Sequence, residues 1–209
     1  MRNSFLRSCK AVLFDLDGVL VDSYNCWVRL LQDAMREQGK TPVTPEEFNS
    51  RWGQGPEADR DVFFPEWTLE ELIAFYEKRF GEYTRWSKPE LGSEKILRHL
   101  QSRGKKIAIA SNSPTEVVNE LLKHARLENY PDVVIGADQV KESKPAPDLL
   151  LKAVEVLRVT KQEVCYVGDS TYDAQAAEAA GIFFVGYKRQ GEISVQNFEE
   201  LAELFSGGN

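Results

Sequence analysis

Four short stretches carry the residues able to do chemistry. The first is Phe14-Asp15-Leu16-Asp17-Gly18. Two aspartates two apart on extended backbone project to the same side, so their carboxylates share one space and call for a cation or a retained proton. The second, Ala110-Ser111-Asn112-Ser113-Pro114, puts a hydroxyl and an amide just before a helix, whose free N–H groups and dipole attract an anion. In the third, Glu142-Ser143-Lys144-Pro145-Ala146-Pro147, prolines immobilise a lysine suited to a phosphoryl group. The fourth, Val167-Gly168-Asp169-Ser170-Thr171-Tyr172-Asp173, adds two more carboxylates. Oxygen donors without histidine or cysteine specify Mg²⁺ rather than a softer metal.

The elements that must position these groups are readable around them. Ala11–Asp15, Lys106–Ser111, Val133–Ile135 and Val164–Gly168 are apolar runs without polar alternation, and Ile182–Val185 is a fifth. Such strands, separated by helical patterns, predict an α/β fold with a parallel sheet and helices on both faces. Each chemical stretch then falls at a strand end or in the loop beyond, where open parallel sheets bind ligands. Ser113-Pro114-Thr115-Glu116 reads as a capping box, which leaves Ser111 free for ligand; Pro147 starts another helix. Ser170 and Asp173 have the same spacing before an Ala-rich helix that Gly181 would end. A last helix is expected at 195–205.

Between Val21 and Pro89 the strand rhythm stops. Trp27, Leu30, Leu31, Ala34 and Met35 form one amphipathic stripe, and Leu69, Leu72, Ile73, Tyr76 and Phe80 another; Thr44 and Thr68 open capping boxes. The expectation is a Rossmann-like core of residues 1–20 and 90–209 with a small all-helical cap, 21–89, inserted after the first strand. Trp52, Trp67 and Trp86 are expected to pack the cap.

These four stretches, in this order, resemble the motifs of the haloacid dehalogenase-like phosphohydrolases. The likeness implies that Asp15 is a nucleophile forming an aspartyl-phosphate, and Asp17 the general acid/base. Ser111 and Lys144 would bind the phosphoryl group, with Asn112 beside them. Mg²⁺ would be held by the Asp15 carboxylate, the Asp17 backbone carbonyl and Asp169, with Asp173 close by. Dehalogenases of this superfamily lack an aspartate two residues after the nucleophile, and its transport ATPases have threonine; Asp17 therefore implies a phosphatase or phosphomutase. Asp17-Gly-Val-Leu-Val-Asp-Ser23 followed by a helical cap is similar to the subgroup of phosphoglycolate phosphatase and β-phosphoglucomutase. A small phosphorylated metabolite is the implied partner, selected within the cap at about 49–61, where Arg51 or Arg60 could meet a carboxylate or hydroxyl. Gly53-x-Gly55-x-x-Ala58 has no preceding strand and is not a dinucleotide fingerprint.

The remaining composition agrees. The chain has 209 residues, 33 acidic and 26 basic, for a charge of −7, which argues against nucleic acid or anionic membrane as partners. With only two histidines, His99 and His124, a three-histidine zinc site is impossible. Three widely spaced cysteines without a CxxC, and an N-terminus with Arg2, Arg7 and Lys10 but no apolar run, lead to the expectation of a cytoplasmic protein without signal peptide or membrane span. Two competing readings are a phosphosugar mutase built on the same core and a non-catalytic phospho-receiver or binding protein. A receiver would place its phosphoacceptor at the third strand, where this chain has Ile135-Gly136-Ala137.

Overall fold

A computed structural model describes residues 2–206. The first part of the chain runs α1 (Arg2–Ser8), β1 (Ala11–Phe14), β2 (Val21–Asp22), α2 (Tyr24–Glu37), α3 (Pro45–Asn49), α4 (Pro56–Phe63), α5 (Leu69–Arg79) and β3 (Lys88–Pro89). There follow α6 (Ser93–Ser102), β4 (Lys106–Ala110), α7 (Thr115–Ala125), β5 (Val133–Ile135), α8 (Asp148–Leu157), β6 (Val164–Gly168), α9 (Thr171–Ala180), β7 (Phe183–Tyr187), β8 (Ile193–Val195) and α10 (Phe198–Phe205).

Six strands form a parallel sheet in the order β5-β4-β1-β6-β7-β8. β1 is fully buried because both its faces are covered: Ala11 and Leu13 pack with α8 and α9, while Val12 and Phe14 pack on the other side. Phe14 is in register with Ile109 of β4 and Val167 of β6. The three central strands therefore end together, and the chain continues from them into Asp15, Ser111 and Asp169. The first strand being central is what gathers chemistry from distant parts of the sequence at one edge.

The segment between β1 and α6 is helical, as expected, and its ends are tied by an antiparallel pair, Val21 with Pro89 and Asp22 with Lys88. Two residues per strand leave no periodicity to read. Thr44 and Thr68 both form reciprocal capping boxes with Glu47 and Glu71. The apolar stripes of α2 and α5 meet through Trp27, whose ring lies 5.1 Å from Tyr76 and 4.6 Å from Phe80. This aromatic cluster is continuous with the core on the Val12–Phe14 side of the sheet.

Four elements differ from expectation. α1 precedes the first strand in a stretch whose sequence shows no helical pattern. Residues 193–195 add a sixth strand, so the last helix starts at Phe198 with Asn197 accepting from the Glu200 amide; Ser194 interrupts the apolar run that would have marked β8. The fifth strand is shifted to Phe183–Tyr187. Ser113 does not cap α7: Asp138, from the loop after β5, accepts from the Thr115 amide at 2.6 Å, and the Ser113 hydroxyl turns elsewhere. The three cysteines are buried and free. Among the described residues no helix is long and apolar enough to cross a membrane.

The strand-to-helix junction after β6 is tight. A Cβ placed on Gly168 would lie 2.5 Å from the Cβ of Asp173, the residue that caps α9 with Ser170. Gly168→Ala is expected to destabilise by ~1–3 kcal/mol through overpacking, measured by urea denaturation. An unchanged midpoint would mean that the junction relaxes freely.

Candidate active site

Asp15 follows β1 and is 5 % exposed, with its amide still paired to the Val167 carbonyl. Lys144 reaches it from the loop before α8: its Nζ donates to Asp15 Oδ1 at 2.8 Å, to Asp173 Oδ1 at 2.7 Å and to the Tyr166 hydroxyl at 3.0 Å. Asn112 holds that loop. Its Oδ1 accepts from the Lys144 amide at 2.8 Å, and its Nδ2 donates to the carbonyls of Lys144 and Gly53, both at 2.9 Å. The side chain expected at the phosphate is thus occupied with backbone on both sides of the cleft.

Asp173 serves two ends. Its Oδ2 accepts from the Ser170 amide and hydroxyl, closing the capping box, while Oδ1 receives Lys144 and the Tyr166 hydroxyl, the latter at 2.5 Å. Asp169 lies beside them, and its buried Oδ1 has no hydrogen-bond partner among the described residues. Oxygens of Asp15, Asp169 and Asp173 all fall within 4.8 Å of one another. Three acids against one lysine leave a negative excess, and a carboxylate oxygen without a partner beside them is what a hard cation would satisfy.

Asp17 is held differently. Gly18, at φ +81°, turns the chain out of the strand line. The Asp17 carboxylate is not one of the clustered three. Oδ1 accepts from the Ser23 hydroxyl and from Trp27 Nε1 at 3.1 Å; Oδ2 accepts from Ser113 Oγ at 2.8 Å and Ser111 Oγ at 3.3 Å. Ser113, expected as a helix cap, is instead a donor at the cleft.

A cleft partly open to solvent lies above these groups. Asp15, Asp17, Ser111, Asn112 and Lys144 line it from the sheet edge, and Arg51, Trp52, Gln54, Asp59 and Tyr76 from the helical segment. Arg60 is not part of the lining; it pairs with Asp61 at 2.5 Å, because the phase of α4 turns Asp59 inward and Arg60 away. Trp67 stacks on Phe64 and Trp86 packs against Tyr83, as expected of packing residues, whereas Trp52 also faces the cleft. Besides the Ser23 and Trp27 bonds to Asp17, the two sides are joined by the Gly53 carbonyl to Asn112, Gln54 to the Tyr172 hydroxyl at 2.8 Å, and Ser143 to Glu57 at 3.0 Å.

Sequence reasoning passed over Tyr166 and Asp59. A tyrosine inside an otherwise apolar central strand was the available signal, since a buried hydroxyl needs partners. Asp59 has no local signal beyond its helix phase.

Electrostatics follow burial. Burial, opposed by Lys144 and aided by the neighbouring acids, holds the Asp15 carboxyl well above its ordinary value. Burial and Asp173 push Asp169 up to about 7, against Lys144. For Asp173, burial also raises, but the Lys144 charge and the bonds from Lys144, Ser170 and Tyr166 outweigh it and leave the group lowered. Lys144 is desolvated too, yet Asp15 and Asp173 hold it above its usual value.

Residues 12–187 match the haloacid dehalogenase-like hydrolase family, and the chain belongs to it. Within that family it groups with capped, phosphoglycolate phosphatase-like members. A phosphoglycolate phosphatase of Aquifex aeolicus is 30% identical over 173 residues, 82% of this chain and 81% of that protein. A phosphorylated carbohydrates phosphatase of Thermotoga maritima is 29% identical over 178 residues, 83% of this chain and 82% of that one. The crystal structure of CbbY from Rhodobacter sphaeroides in complex with xylulose-(1,5)bisphosphate superposes with a TM-score of 0.81 at 20% identity, covering 92% of this chain and 96% of that one; that likeness is one of fold. The protein is a hydrolase whose relatives are phosphatases.

Because Asp15 and Asp169 bind protons more tightly folded than unfolded, where carboxylates titrate at ~4, the stability they contribute is complete below that value and is lost as pH rises through their raised folded values, about 7 for Asp169. Asp173, lowered, and Lys144, raised, both favour their charged forms and contribute across this window. In EDTA, the urea midpoint should fall between pH 5 and 8, and Asp169→Asn should shrink the fall. A midpoint that rises over this range would contradict the assignment.

Proposed function

We propose that this protein is a Mg²⁺-dependent phosphatase that hydrolyses a small phosphomonoester of phosphoglycolate or sugar-phosphate type through an aspartyl-phosphate on Asp15. The observation that carries the reading is the ion pair of Lys144 with Asp15 beneath a cleft, next to the buried Asp173 and the half-buried Asp169.

Asp15 is the one acid of the cluster that lines the cleft, so its free oxygen is the nucleophile. Like-charge repulsion between that carboxylate and a phosphate dianion has to be offset. Lys144 supplies one positive charge already in contact with Asp15, and Ser111 adds a hydroxyl donor. Asn112 contributes by holding the Lys144 loop. Asp15, Asp169 and Asp173, with the Asp17 carbonyl, are the oxygen set that would hold Mg²⁺, which supplies further positive charge beside the phosphoryl oxygens.

As the Asp15 oxygen bonds to phosphorus, the bond to the leaving oxygen breaks and Asp17 gives that oxygen a proton. In the second step Asp17 takes a proton from water, whose oxygen displaces Asp15 and releases phosphate. Hydroxyls of Ser23 and Ser113 and the Trp27 indole aim the Asp17 carboxylate without a histidine. We assign residues 21–89 to the cap that encloses substrate and the remainder to the core; the Gly53–Asn112, Gln54–Tyr172 and Ser143–Glu57 contacts describe a closed state that excludes bulk water.

Phosphate release from p-nitrophenyl phosphate should require Mg²⁺ and vanish in Asp15→Asn. Asp17→Asn should retain the metal requirement while turnover drops ~10²–10⁴-fold. Persistent hydrolysis in Asp15→Asn would remove the nucleophile assignment. Isomerisation of a hexose 1-phosphate without phosphate release would replace hydrolysis by mutase chemistry.

A further inference from the structure

The wall of the cleft built by the helical segment is chemically distinct from its floor. Trp27, Phe48, Trp52 and Tyr76 line this wall together with two ionisable side chains, Arg51 and Asp59. Tyr76, fully buried, donates its hydroxyl to Asp59 Oδ2 at 2.9 Å, which fixes the carboxyl and leaves Oδ1 without a partner among the described residues. Arg51 makes no side-chain hydrogen bond or salt bridge among the described residues, yet it is close enough to act on the Asp59 charge. The Arg51 guanidinium, which also acts on the Glu47 charge, thus has no hydrogen-bond partner among the described residues, and one Asp59 oxygen is likewise unpaired, on a wall that also carries aromatic rings.

An acid placed there has no structural need that an apolar residue would not meet better, since the Tyr76 bond alone does not offset its desolvation. Burial, with the Glu57 charge and against Tyr76 and Arg51, raises the Asp59 carboxyl to about 7. In such surroundings an O–H donated to Asp59 is stronger than in water.

The pair sets opposing demands. A carboxylate or second phosphate would suit Arg51 but lie beside Asp59, while an ammonium would suit Asp59 but lie beside Arg51. A hydroxyl meets both, because each donates one hydrogen bond and accepts others, and the C–H faces of a carbon skeleton pack on aromatic rings. We propose that Arg51 and Asp59 form the leaving-group subsite, and that the substrate is the phosphate monoester of a small, neutral, polyhydroxylated alcohol, a sugar or sugar alcohol, rather than of a hydroxy acid or an amino alcohol. The inference rests on the phosphatase reading above and selects among its substrates.

The test compares kcat/KM, with Mg²⁺, for ribose 5-phosphate, phosphoglycolate, O-phosphoethanolamine and p-nitrophenyl phosphate. The wild-type protein should favour ribose 5-phosphate over the two charged alternatives by ~10-fold or more, as when a site's polar groups are left unpaired. In Asp59→Asn, which keeps an acceptor for Tyr76, and separately in Arg51→Gln, the ratio of ribose 5-phosphate to p-nitrophenyl phosphate should fall by a similar factor. Preference for phosphoglycolate or phosphoethanolamine, or ratios unmoved in both variants, overturns the subsite while leaving a phosphatase. Absence of Mg²⁺-dependent turnover of p-nitrophenyl phosphate by the wild type removes the phosphatase reading itself, and the subsite with it.

Discussion

The ion pairs of Lys144 with Asp15 and Asp173 are the interaction on which the rest of the structure depends. All three side chains are removed from water, where an unpaired charge is costly, so each neighbour is recruited to the same balance. Tyr166 bridges Lys144 and Asp173 from the strand below, Ser170 ties Asp173 to the start of α9, and Asn112 clamps both backbone groups of Lys144. Asp169 remains outside this pairing with an orphaned oxygen. The arrangement is a lattice of bonds short of positive charge, three carboxyl groups against one lysine, which is the physical basis for reading it as a cation site.

That shortage also explains the architecture around it. Parallel strands end together at β4, β1 and β6, so three loops from separate parts of the chain deliver their polar groups to one edge, while the apolar strands beneath keep water from the other side. The helical segment completes the enclosure from above. Its aromatic core is continuous with one face of the sheet, and its contacts at Gly53, Gln54 and Glu57 fall beside the Lys144 loop and α9, next to the charged floor.

Legibility differed by kind of feature. Strands β1, β4, β5 and β6 were visible because burial on both faces leaves uninterrupted apolar runs. β8 was not, since Ser194 breaks a run of three, nor was the β2–β3 pair, too short to show a period. Asp15, Lys144, Asp169 and Asp173 stood out because several residue types at strand ends point to one chemistry. Ser113 was misread as a cap because its local spacing suits one, whereas Asp138, 23 residues from Thr115, takes that role.

From the sequence alone came the inventory of groups, the α/β pattern with its helical insertion, and the placement of acids, hydroxyl and lysine at the ends of buried strands, because these depend on local periodicity and residue type. Only the tertiary structure decided where the side chains of those groups go. It separated the Asp17 carboxylate from the three clustered acids, bound Asn112 to backbone, turned Arg51 and Asp59 into the cleft and Arg60 out of it, and brought Tyr166 under Lys144. Those outcomes depend on helix phase and on contacts between segments tens of residues apart, and no local pattern encodes them.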